Sequence, residues 1–122
     1  MQRTQKIARL AFSLCVSLTL WLALSREASS PMGAPDKLNH LVAFFVLSVL
    51  LDYALLNVER FRIKALLLGG FGFLIEILQL WVGYRSFEWG DLAADCAGVL
   101  CYVLLRRELR ASIDRICSRF IG

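Results

Sequence analysis

The stretch 73–100 constrains this chain more than any other. It holds two apolar runs joined by a short turn, with Glu76 and Gln79 inside the first, Asp91 and Asp95 inside the second and Arg85 in the turn. Ionisable groups at membrane depth are costly, so each marks a functional hypothesis. Side chains three or four residues apart share a helix face, so each pair projects from one side of its helix. A short turn makes the two helices antiparallel neighbours, and both pairs then fall near the same end of the assembly.

The remainder of the chain is built in the same way. Of its 122 residues 58% are hydrophobic, more than a soluble domain of this length can cover with polar surface. Apolar runs fall at 7–25, 40–56, 63–83 and 90–105. Each is close to the ~20 residues that cross ~30 Å of hydrocarbon, the second and fourth being short. The expectation is a single all-α domain over 1–122, a polytopic four-transmembrane-helix bundle. The first run exceeds a secretory h-region, so a retained helix is expected even though Ala28-Ser29-Ser30 offers small residues for cleavage.

The net charge of +4 raises nucleic acid as a partner. The basic residues flank apolar runs and form no stripe, which argues against it. They specify orientation instead. With the N-terminus inside, eleven of the fourteen Lys and Arg residues lie on inner segments, and only Arg26, Lys37 and Arg85 lie outside. The positive-inside rule then places both termini in the cytoplasm. Residues 106–122 carry Leu109, Ile113, Ile116 and Phe120 at helical spacing amid arginines, the pattern of a basic amphipathic extension on an anionic inner leaflet.

Other features read blandly. Cys15, Cys96, Cys101 and Cys117 have no zinc-type spacing and fall in spans or the tail, as small packing residues do. Gly69, Gly70 and Gly72 suit close helix packing in lipid. Asp52, near the inner end of the second run, is expected to make a local ion pair with Arg60, Arg62 or Lys64. Trp81, Tyr84, Phe87 and Trp89 read as an outer aromatic belt.

In this topology the unusual residues gather on the outer side. Asp36, Lys37 and His40 open the second helix, and Asp36 can cap it after Pro35. Glu76 and Gln79 lie roughly 10 and 6 Å below the outer end of the third helix at ~1.5 Å per residue, level with Asp91 and Asp95. The expected site is a shallow, outward-facing polar pocket made by Asp36, Lys37, His40, Glu76, Gln79, Arg85, Asp91 and Asp95. Two helix N-termini with Lys37 and Arg85 favour an anion. The carboxylates require either protonation or a balancing cation. No HExxH or HxxEH spacing calls for a metal, and no cofactor is expected. His40, Glu76 and Asp91 are candidate acid–base groups, but no nucleophile is placed, so catalysis is left open.

At these residues the chain resembles the VanZ-like family of small bacterial membrane proteins. The matching elements are Asp36-Lys37-Leu38-Asn39-His40, Glu76-x-x-Gln79, Gly83-x-Arg85-Ser86 and Asp91-Leu92-x-x-Asp95-x-x-Gly98, in order and with matching spacing. Two departures stand out. The family often carries Asn at the position of Asp95, and Cys101 and Tyr102 stand where a second small residue follows Gly98. The resemblance implies a multi-pass protein of the bacterial cytoplasmic membrane with a cell-envelope role. The family's namesake is associated with low-level resistance to the glycopeptide teicoplanin. Together these features lead to the expectation of an envelope protein that binds an anionic lipid headgroup or glycolipid among the membrane lipids. The alternatives are a small lipid-headgroup hydrolase or transferase, and an interaction protein without a ligand. A dimer is left open.

Overall fold

The computed structural model describes residues 2–24, 36–55, 60–82 and 89–120. They form four α-helices and, among the described residues, no strand: α1 (Gln2–Leu24), α2 (Asp36–Ala54), α3 (Phe61–Val82) and α4 (Trp89–Phe120). α3 over Phe61–Trp81 is long and apolar enough to cross a membrane, and the apolar part of α2, Leu38–Ala54, is shorter. Helix α4 continues without a break from the apolar run through the basic tail. Its 32 residues extend roughly 48 Å at ~1.5 Å per residue.

Three serines bond within their own helices. Ser13 donates to the Arg9 carbonyl at 3.0 Å, Ser17 to that of Ser13 at 2.9 Å and Ser48 to that of Phe44 at 2.6 Å. Such back-bonds satisfy a hydroxyl without water. Outer faces are correspondingly apolar. Leu10, Leu14, Leu18 and Trp21 form an exposed stripe on α1, and Leu66, Leu67, Leu74, Ile77, Leu80 and Trp81 are exposed on α3. The interior instead buries Asp52, Lys64, Glu76, Gln79 and Asp95 among its apolar residues.

Helix α2 is the central element and packs on each of the other three, most extensively on α4. The contacts fix directions. Gln5 and Arg9 of α1 donate to the Ala54 carbonyl, so α1 begins where α2 ends. His40 meets Asp95, Phe45 meets Tyr102 and Asp52 meets Arg106, so α2 and α4 run parallel. Lys64 near the start of α3 meets Asp52, so α3 runs against both.

The close parallel packing of α2 and α4 depends on Gly98. A Cβ there would collide with the Leu41 carbonyl oxygen and stand 3.0 Å from the Phe45 nitrogen. The core beside this contact is Phe44, Leu47, Leu51, Leu68, Ile75 and Val99, with Phe12, Cys15, Val16 and Leu20 of α1 packed against it. Cys15 thus serves as a packing residue, whereas Cys96 is exposed.

The tail expectation needs one adjustment. Tyr53 donates to Asp114 at 2.8 Å, the Arg110 guanidinium lies over the Tyr53 ring, and Ile113 packs on the Ala8–Tyr53–Ala54 cluster. This part of the tail is therefore docked on α1 and α2. Beyond it, Ile116 and Phe120 are exposed.

Candidate functional site

The buried face of α4 is one stripe, Asp91, Asp95, Gly98, Val99 and Tyr102, as a helical period of 3.6 dictates. Asp91 lies in the first turn and Asp95 one turn on. Gly98 draws α2 against this stripe, so His40 reaches across to both carboxylates. The His40 Nδ1 and Asp95 Oδ1 are 2.7 Å apart, and His40 Nε2 stands 4.0 Å from Asp91 Oδ2. From α3, Glu76 enters the same space: one potential donor atom from each of His40, Glu76 and Asp91 lies within 4.8 Å of the others.

Burial is deep for such polar groups. Glu76 is fully buried and Asp95 is 1% exposed, while the imidazole retains a partly open edge. Room for Asp95 comes from α3. A Cβ on Gly72 would approach Asp95 Oδ2 to 2.7 Å, so the absent side chain makes the carboxylate's seat. The sequence marks Gly72 only as a packing glycine.

Of the eight expected pocket residues, the structure therefore brings His40, Glu76, Asp91 and Asp95 together from three helices. Gln79 is buried one turn beyond Glu76 on α3. Glu76, Gln79 and Asp91 also take part in further interactions. The side chains of Asp36 and Lys37, and the whole of Arg85, lie outside the described residues, as do Tyr84 and Phe87 of the expected aromatic belt. The candidate acid–base groups are His40, Glu76 and Asp91, yet the carboxylate at hydrogen-bond distance from His40 is that of Asp95. The family pattern, with Asn often at that position, gave no reason to expect this. The spacing test for a metal likewise looks along one helix, whereas these donors come from three.

A second polar cluster, at the opposite end of α2, corrects the reading of Asp52. The expected pairing with Lys64 is present, but Asp52 is the fully buried hub of a wider network rather than one half of a local pair. Lys64 Nζ donates to Asp52 Oδ1 at 2.6 Å, and the Tyr102 hydroxyl and Arg106 Nε donate to Oδ2 at 2.6 and 2.7 Å. Arg106 adds a bond to Oδ1 at 3.1 Å, and Arg110 Nη1 stands 3.7 Å from Oδ2. Both carboxylate oxygens are thus satisfied, which is the condition for burying a charge. Arg60 and Arg62, offered as partners, instead line a surface cavity with Phe61, Ile63 and Leu66. A signal for the network did exist: Tyr102, Arg106, Arg110 and Asp114 recur every four residues. The basic members of that stripe were absorbed into the reading of an interfacial tail.

A family model described as VanZ/LLP1 matches residues 2–110. No curated protein matches the chain, and no solved structure does.

Proposed function

Because this chain belongs to the VanZ/LLP1 family, a family of membrane-associated proteins, we propose that it is a four-span protein of the bacterial cell envelope whose His40–Glu76–Asp91–Asp95 cluster binds the polar headgroup of an anionic lipid or glycolipid. The observation that carries this reading is the convergence of these four side chains from three helices near one end of the assembly, with His40 retaining an open edge. The exposed apolar stripes of α1 and α3 support immersion in lipid, since scattered apolar exposure is ordinary but contiguous stripes call for an apolar partner. The opposite end carries Lys64, Arg106 and Arg110 around Asp52. That basic end belongs in the cytoplasm by the positive-inside rule, which turns the His40 cluster outward.

The enzyme reading draws on one specific observation, the 2.7 Å contact between His40 and Asp95. A carboxylate on one ring nitrogen fixes the imidazole's orientation and leaves the other nitrogen to move a proton. The decisive measurement is lipid mass spectrometry on the purified protein, native beside Asp91→Asn. Binding predicts a phospholipid or glycolipid that co-purifies with native protein and is depleted in the variant. A chemically altered lipid appearing only with native protein would establish the hydrolase or transferase instead. Equal lipid profiles in the two proteins would sink both.

A further inference from the structure

We propose that His40, Glu76 and Asp91 form a divalent metal site, with Asp95 as the residue that positions His40. The proposal rests first on geometry. Three donor atoms of the types that hold zinc or manganese, an imidazole nitrogen and two carboxylate oxygens, lie within 4.8 Å of one another. Donors around a tetrahedral zinc are ~3.4 Å apart at bond lengths of ~2.0–2.2 Å. Small side-chain rotations close that difference. The donors come from α2, α3 and α4, so the interhelical packing sets their separation.

The second observation is the arrangement around Asp95. This side chain is 1% exposed and touches His40 Nδ1 through Oδ1. Its Oδ2, turned to Gly72, accepts no hydrogen bond among the described residues. A carboxylate on one ring nitrogen is the usual companion of a metal-bound histidine, because it fixes the tautomer and strengthens the other nitrogen as a donor. With Nδ1 engaged by Asp95, Nε2 is the nitrogen left to bind, and it is the one that faces Asp91.

Three protein ligands leave coordination positions open. An open position is where a phosphate oxygen of the headgroup would bind. That last step rests on the headgroup reading above, whereas metal binding does not.

The test uses the full-length protein in detergent, stripped with a chelator and titrated with Zn²⁺ by calorimetry. We expect one ion per chain. His40→Ala and the near-isosteric Asp91→Asn should each weaken binding at least tenfold. Asp95→Asn should weaken it about 10–100-fold while keeping one-to-one stoichiometry, as loss of an orienting partner does. Cys96→Ser, which removes the exposed thiol, should change nothing. Circular dichroism checks that each variant is folded. If His40→Ala fails that check, Asp91→Asn and Asp95→Asn carry the test alone. Absence of stoichiometric binding, or binding indifferent to Asp91→Asn, overturns the site. Adding phosphatidylglycerol micelles to the metal-loaded protein then tests the coupling. Lipid binding lost on chelation supports it. Metal binding with no lipid response retains the metal site and overturns only its link to a headgroup.

Discussion

At the residue scale, one glycine carries much of the architecture. Gly98 lets the α4 backbone meet that of α2, where a Cβ would strike the Leu41 carbonyl. Backbone cannot yield as a flexible side chain can, so the helices must separate. Gly98→Ala should therefore destabilise the protein by about 1–3 kcal/mol, the usual cost of overpacking, and should also loosen the His40–Asp95 contact that spans the same interface. Gly70→Ala is the control, since nothing lies within 4 Å of a Cβ built there. Thermal unfolding in detergent separates the two. Equal behaviour of both variants would show that close approach at Gly98 does not hold the helices together.

At the scale of elements, α4 joins the two polar clusters. Its first turns hold Asp91 and Asp95, its middle holds Tyr102 and Arg106, and its last third docks through Asp114 on Tyr53. Truncation after Arg107 keeps the contacts of Asp52 with Lys64, Tyr102 and Arg106 but removes Arg110 and Asp114. The shortened protein should still insert, with a stability loss of about 1 kcal/mol for the Tyr53 bond. Arg106→Ala should cost more, about 1.5–3 kcal/mol, because two charge-assisted bonds to a buried carboxylate are lost. A truncated protein absent from the membrane fraction would mean that the docked third of α4 is needed for assembly itself.

For the whole molecule, the two clusters give opposite character to the two ends. One is rich in carboxylates around a single histidine, and the other gathers lysine and arginine around a single aspartate. Reporter fusions after Gly122 and within 29–34 should read cytoplasmic and external respectively. An external C-terminus would place the His40 cluster on the inner side, and its ligand would then be sought among cytoplasmic-leaflet headgroups.

The sequence by itself determined the all-helical class and the order of its four helices, because apolar runs and helical period are local properties. Pairs such as Glu76 with Gln79 and Asp91 with Asp95 were also legible, since residues three and four apart must share a face. The meeting of Glu76, Asp91 and Asp95 with His40 followed from the depths of the apolar runs. Tertiary structure alone decided which carboxylate holds the imidazole. His40 and Asp95 are 55 positions apart, and their contact depends on how closely α2 and α4 approach, which Gly98 sets through backbone sterics. Asp52 illustrates the same limit. Its neighbours in the chain suggested Lys64, but Tyr102 and Arg106 reach it only because α2 and α4 run parallel in contact. No periodicity encodes that pairing; it arises from the packing of two helices that the sequence separates by a third.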